Sequence, residues 1–153
     1  MKAKKFDRLN LGCGVFSVLE AGWVNHDARK FYAHVNDVWD LDKFPWHWRS
    51  NAFVEVRAID VLEHLQDVVK AMNECWRILK RGGVLRVRVP AWDNVNAWGD
   101  PTHRRAFTLE TFDHFDPETR LGAEHVFYTP HKWRIVDSGR DGADLVFELT
   151  PRK

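Results

Sequence analysis

Apolar residues recur most regularly between Asp67 and Leu79, where Val68, Met72, Cys75, Trp76 and Leu79 follow spacings of three and four. The pattern predicts a helix over Asp67–Leu79. Asp67 stands near its start, and Lys80, Arg81, Gly82 and Gly83 stand at its end, as capping and the helix dipole favour. The period then changes to two. In Val84–Val89, Leu85, Val87 and Val89 line one face and Arg86 and Arg88 the other, with Pro90 closing the strand. Phe53–Ile59 is a second alternating strand, with Val54, Val56 and Ala58 on one face.

Nearer the start, Arg8–Leu11 reads as a short strand that runs into Gly12-Cys13-Gly14. Val15–Ala21 has room for one or two helical turns, closed by Gly22. Trp23–Asp27 and Ala33–Asn36 read as strands, and Asp37–Ser50 has no clean period and reads as loop. Further on, Thr108–Phe115 predicts a short helix with Thr108 as N-cap. Lys132–Ser138 and Leu145–Thr150 are strands around an Asp141-Gly142 turn. Strands alternating with helices imply one α/β domain over residues 1–153, with a mostly parallel sheet and right-handed crossovers. The last two strands add an antiparallel C-terminal hairpin at the edge. Ligands of such sheets bind outside the carboxyl ends of the strands.

Composition adds mainly exclusions. A formal charge of +1 demands neither nucleic acid nor membrane. No apolar run approaches the ~20 residues of a membrane span, and the charged start lacks a signal-peptide core. Cys13 and Cys75 show no metal or disulfide spacing. A cytoplasmic protein with reduced thiols is expected. The eight tryptophans exceed what a core of this size encloses easily, so several are expected beside a cavity or at the surface.

Five segments carry candidate chemistry. Leu9-Asn10-Leu11-Gly12-Cys13-Gly14 leads a strand into bare backbone that a ligand can approach. Asp27, at the end of the next strand, is placed to accept hydrogen bonds from the hydroxyls of a ribose. It follows Gly14 more closely than the roughly 20 residues of a dinucleotide fold, so the intervening helix must be stunted. Asp40-Leu41 begins a loop able to flank an adenine. Ile59-Asp60-Val61-Leu62-Glu63-His64-Leu65 follows the fourth strand, and Glu74–Gly83 ends the long helix. Each alone is compatible with an ordinary turn, loop or helix end.

Together and in this order, over about residues 8–90, they resemble the class I S-adenosylmethionine-dependent methyltransferases, in particular small type 11-like bacterial and phage members. The resemblance implies a Rossmann-like sandwich, here with reduced N-terminal helices, that uses S-adenosylmethionine and releases S-adenosylhomocysteine. It places Asn10, Gly12 and Gly14 at the methionine part, Asp27 at the ribose, Asp40 and Leu41 at the adenine, and Asp60 and Leu62 at the sulfonium with His64 nearby. The pattern departs in two places: the motif's first acid is replaced by Asn10, which still accepts a hydrogen bond, and a further glycine is replaced by Phe16.

The segment Asp100–Phe107 resembles the D-P-T-H-x-R-x-F-T stretch of the same proteins. His103 is its candidate catalytic residue, either a base or an acceptor-orienting group, or else a pin for the Pro101 loop. Trp92, Trp98 and Phe107 could wall an acceptor pocket or pack as a lid. Arg104 and Arg105 could hold an anion or form a solvated face. Trp46-His47-Trp48 could make a homo-oligomer contact. His114, Asp116 and His125 have the residue types of a metal triad but not its surrounding pattern, so no metal is expected. A small-molecule acceptor is expected over nucleic acid. Two alternatives to methyl transfer stay open: a non-catalytic S-adenosylmethionine-binding or scaffold module, and cleavage of the sulfonium.

Overall fold

The computed structural model describes residues 6–15 and 22–153. The helical turns expected over Val15–Ala21 fall largely outside these residues. Among the described residues, the strands are β1 (Arg8–Leu11), β2 (Trp23–Asp27), β3 (Asp37–Val38), β4 (Phe53–Ile59), β5 (Leu79–Pro90), β6 (Trp133–Asp141) and β7 (Asp144–Pro151). They form one sheet in the order β3-β2-β1-β4-β5-β7-β6. The pairs β1–β2, β1–β4, β2–β3 and β4–β5 are parallel, and β7 is antiparallel to both β5 and β6. The expected α/β architecture is therefore present, with the expected antiparallel hairpin at its C-terminal edge. The C-terminal hairpin docks through its second strand, so β6 forms the edge and runs in the direction of β5. Gly142, at φ +61, makes the hairpin turn.

The long helix α1 (Val68–Ile78) starts as its sequence predicts, with the Asp67 carboxylate accepting the Lys70 N–H at 2.9 Å. It buries Val68, Ala71, Met72, Cys75 and Ile78. It ends before the two glycines, because Leu79 already pairs with Phe53 in the sheet. Glu55 next pairs with Val84, so residues 80–83 bulge out of β5. The glycines serve that bulge. Gly82 has φ +73, and a Cβ on Gly83 would come within 3.0 Å of the Lys80 carbonyl oxygen. The same irregularity corrects the face expected for β4: Phe53 goes inward with Val56 and Ala58, and Val54 is exposed.

The third strand also shifts, from Ala33–Asn36 to Asp37–Val38. The Asn36 side-chain oxygen accepts the Asn25 N–H at 2.9 Å, a side-chain bond at the start of the ladder, and strand pairing begins only at Asp37. Thr108–Phe115 forms two 3₁₀ turns, Leu109–Thr111 and Asp113–Phe115, rather than one α-helix. Thr108 still starts them, its N–H donating to Thr111 Oγ1 at 3.0 Å. Short helices α2 (Val95–Gly99) and α3 (Arg120–Glu124) were not expected from the pattern.

Leu9, Leu11, Val56, Ala58, Leu85, Val87, Val89, Phe147 and Leu149 share the buried side of the sheet. They pack with α1 and with Phe107, Phe112, Phe115 and Trp133. Of the tryptophans, Trp23, Trp46 and Trp133 are buried, whereas Trp92 and Trp98 are exposed. Among the described residues no helix is long and apolar enough to cross a membrane.

Candidate active site

The sheet order reverses between β1 and β4, whose outgoing loops turn to opposite sides and leave a crevice at the strand ends. A cleft of about 850 Å³ lies there. Asn10, Gly12, Gly14, Asp60, His64 and Asp100 line it, and it extends across the open sheet face over Trp23, Asn25, Arg57 and Arg88.

The glycine turn is fixed to the end of β2. Gly12 and Gly14 have φ +55 and +57, and a Cβ on Gly12 would lie 2.5 Å from Val61 Cγ2. Gly14 N–H donates to Asp27 Oδ2 at 2.9 Å, Ala28 N–H to Asp27 Oδ1 at 2.7 Å, and Cys13 N–H to the His26 carbonyl at 2.8 Å. Each Asp27 oxygen keeps a further lone pair. The folded chain thus joins the glycine turn and the acid that the sequence separates.

His26, which is buried, ties this corner to the next loop. Burial pushes its imidazole below the usual range and keeps it neutral. Its Nε2–H donates to the Trp39 carbonyl at 2.9 Å, leaving Nδ1 to face the Gly12 N–H at 3.4 Å. No sequence pattern signals that role beyond a histidine ahead of Asp27. Cys13 is buried beside them, and burial, with the Asp27 charge, pushes its thiol up to about 11, so it carries no thiolate chemistry.

The remaining expected residues divide. Asp40 is exposed and accepts the Asp42 N–H at 3.0 Å. It follows Trp39, whose N–H meets the Asp27 carbonyl at 3.3 Å. Leu41 and Leu62 are core residues, so neither apolar side chain lines the cleft. Asp60 has a left-handed backbone, φ +56, and pairs with Arg88, whose Nε lies 3.1 Å from Oδ1.

Beyond Asp60, the 3₁₀ turn Leu62–His64 brings Glu63 and His64 against His103. The His64 and His103 rings meet edge to face with centroids 4.6 Å apart. Glu63 was missed in the sequence because it looks like any charged residue in a short apolar loop. It is 1% exposed, and burial pushes its carboxyl up to about 7. His64 is held below the usual imidazole range by burial and then by the His103 ring.

Several other expectations are corrected. Phe107 is fully buried against Phe112 and forms no pocket wall, while Trp92 and Trp98 are exposed with Trp98 Nε1–H on the Trp92 carbonyl at 2.8 Å. Arg104 donates to the His64 carbonyl at 3.0 Å, and Arg105 to those of Leu65 and Gln66 at 2.8 Å each. Both arginines therefore clamp the Glu63–Gln66 segment to the His103 loop. Trp46 is buried in the core, which removes it from any surface contact. Asp116 accepts the Ile135 N–H at 2.9 Å and pairs with Arg152 at 3.1 Å, a structural brace between the 3₁₀ region and the sheet.

Comparison with known proteins agrees with this fold. A family model described as a methyltransferase domain matches residues 26–87. The chain has the fold of the class I S-adenosylmethionine-dependent methyltransferases. A chain from a complex that contains the Haloferax volcanii Trm112 methyltransferase activator superposes with TM-score 0.67 at 12% identity, covering 98% of this chain and 84% of that one. A SAM-dependent methyltransferase from Archaeoglobus fulgidus gives 0.66 at 15% identity, covering 96% and 87%. The [4+2]-cyclase SpnF gives 0.60 at 15% identity, covering 94% and 74%. No curated protein matches the chain by sequence. At such identities the methyltransferase fold is what is shared, and a cyclase among the similar structures illustrates that the fold does not fix the reaction.

Proposed function

We propose that this chain binds S-adenosylmethionine in the β1/β4 cleft and transfers its methyl group to a small-molecule acceptor. The carrying observation is the joined corner of Gly12, Gly14 and Asp27 at the topological switch point. Among the described residues, and beyond its chain neighbours, the nearest atom to a Cβ added at Gly14 is the Gly12 carbonyl oxygen at 3.9 Å, so bare backbone lines the cleft beside an acid already aimed by two N–H groups. That arrangement fits a ligand with a ribose diol and a flanking amino-acid part.

In this reading Asn10, Gly12 and Gly14 take the methionine portion, and Asp27 accepts hydrogen bonds from the ribose hydroxyls. Asp40 accepts from the adenine amine, with Leu41 backing its loop from the core. Asp60 and His64 form the sulfonium side, with Leu62 supporting them from beneath. When bound, S-adenosylmethionine supplies an electrophilic methyl group. The chain's own contribution is to position the acceptor and desolvate the site, with His103 as the residue that orients the acceptor or takes its proton.

Calorimetric titration with S-adenosylhomocysteine tests the assignment. Asp27→Ala is expected to weaken binding by about 1.5–3 kcal/mol, the range for hydrogen bonds to a charged group. Unchanged affinity in a folded variant removes Asp27 from the site. Binding without turnover across an acceptor screen favours the non-catalytic module instead.

A further inference from the structure

Glu63 is nearly inaccessible, and among the described residues neither of its carboxylate oxygens has a hydrogen-bond partner. A carboxylate buried in this way costs several kcal/mol unless a cation or donor offsets it. Two imidazoles, His64 and His103, stand beside it, in a cavity that Asp60, Asn96, Asp100 and Asp144 also line. His103 Nε2 stands 4.0 Å from Glu63 Oε1, too far for a hydrogen bond. Ligand atoms of Glu63, His64 and His103 all lie within 4.8 Å of one another. Ligands around an ion with bonds of about 2.0–2.2 Å stand roughly 3–3.5 Å apart, so small inward movements would close the set.

The hydrogen bonds around the two rings fix which nitrogens are open. Thr102 Oγ1 donates to Asp100 Oδ1 at 2.7 Å. Its oxygen therefore accepts from His64 Nδ1–H at 2.9 Å, which leaves the lone pair on His64 Nε2. The Ala97 carbonyl only accepts, so the His103 Nδ1–H points to it at 3.3 Å and the His103 lone pair lies on Nε2, the atom nearest Glu63. Histidine ligands are characteristically oriented through their second nitrogen in this manner. Asp100 Oδ2, 3.9 Å from His103 Nε2, stands at the rim.

We propose that Glu63, His64 and His103 bind one divalent transition-metal ion. Two imidazoles and one carboxylate suit zinc, manganese, iron or cobalt better than magnesium or calcium. His64 and Asp100 line both the cofactor cleft and the adjoining cavity of about 270 Å³ that also contains Glu63 and His103. An ion here faces the place where an acceptor must meet the cofactor. It would take a hydroxyl or carboxylate oxygen of the acceptor as a further ligand, so His103 would act on the acceptor through the ion. The use of the ion rests on the methyl-transfer reading; its binding does not.

The test is calorimetric titration of the full chain with cobalt(II) chloride, read also by the visible absorption of bound cobalt. S-adenosylhomocysteine is titrated separately. One equivalent of cobalt is expected at micromolar or tighter affinity. Glu63→Gln, which keeps the shape of the side chain, and His103→Asn should each weaken it at least about tenfold, while His114→Asn should leave it unchanged. Absence of stoichiometric binding by the folded protein, or binding by Glu63→Gln equal to the parent, overturns the proposal. S-adenosylhomocysteine binding without cobalt binding defeats the metal site alone, and the reverse defeats the cofactor site alone.

Discussion

On one side of β5, Leu85, Val87 and Val89 are buried and pack toward α1 and the phenylalanines of the 3₁₀ region. On the other side, Arg86 and Arg88 stand about half exposed in a ladder of opposite charges. Glu55 on β4 takes Arg8 at 3.8 Å, Arg57 at 3.1 Å and Arg86 at 3.2 Å; Arg86 also reaches Glu148 on β7, and Arg88 pairs with Asp60. A single strand thus holds both the part of the molecule that is stabilised by exclusion of water and the part that remains wet. The cleft belongs to the wet side, running over Arg57 and Arg88 from the glycine turn. Stability and ligand access are therefore separable by substitution on alternate residues.

The apolar side should show the largest effect. Phe112 is fully buried, with ring centroids 4.5 Å from Phe147 and 5.9 Å from Phe107. Phe112→Ala removes a large buried side chain at a point where three rings meet, and is expected to cost about 3–5 kcal/mol of stability by denaturant titration. A loss below about 1 kcal/mol would mean that the apolar side is not the main source of stability.

A smaller effect is expected from a polar cluster that is better enclosed than the charged ladder. Glu74 on α1 accepts the Trp46 N–H at 2.6 Å and is gripped by Arg77 at 2.8 and 2.7 Å, and Arg77 also donates to the Trp48 carbonyl at 2.8 Å. These bonds outweigh burial and hold the Glu74 carboxyl below its ordinary value. Because the folded value is the lower one, the stabilisation is complete above the unfolded value, near 4.5, and is lost as pH falls through the folded value. Thermal melts are expected to show a decline below about pH 4.5 that is shallower in Glu74→Gln, whose melting point should also be lower at neutral pH. Superimposable acid profiles for the two proteins would remove Glu74 from the linkage.

Where one physical signal dominated, the sequence and the structure agree. The alternation of Val84–Val89 correctly separated Leu85, Val87 and Val89 from Arg86 and Arg88, and the spacing of Val68, Met72 and Cys75 gave the buried side of α1. Trp23–Asp27 and Phe53–Ile59 keep their predicted ends. Disagreement came where a tertiary contact competed with a local rule. Gly82 and Gly83 look like a helix C-cap, yet the Phe53–Leu79 pairing claims the chain first and turns them into a bulge. Asn36 supplies a side-chain oxygen to the β2 backbone, which no hydrophobic pattern encodes. At the candidate site, the glycines, Asp27, Asp60, His64 and His103 were visible as motif residues. Glu63 and His26 were not, because their significance lies in burial, and burial of a polar residue depends on chain segments far away in sequence.

The smallest effect should come from the charged side, and it is the sharpest check on the comparison. Arg86→Gln removes a guanidinium that pairs with Glu55 and Glu148 while half of its side chain faces water. Solvent screens such pairs, and holding two long side chains in place costs entropy, so exposed ion pairs contribute about 0–1 kcal/mol. The loss is expected in that range and should shrink further at high salt, because separated surface charges are then screened. Glu55 keeps Arg57 and Arg8 in the variant, which limits the charge left without a partner. A cost of about 3 kcal/mol or more would instead match the loss of one member of a buried pair. Arg86 would then be enclosed in solution by something that the described residues do not include, and the charged side of the sheet would be an interface rather than the open floor of the cleft.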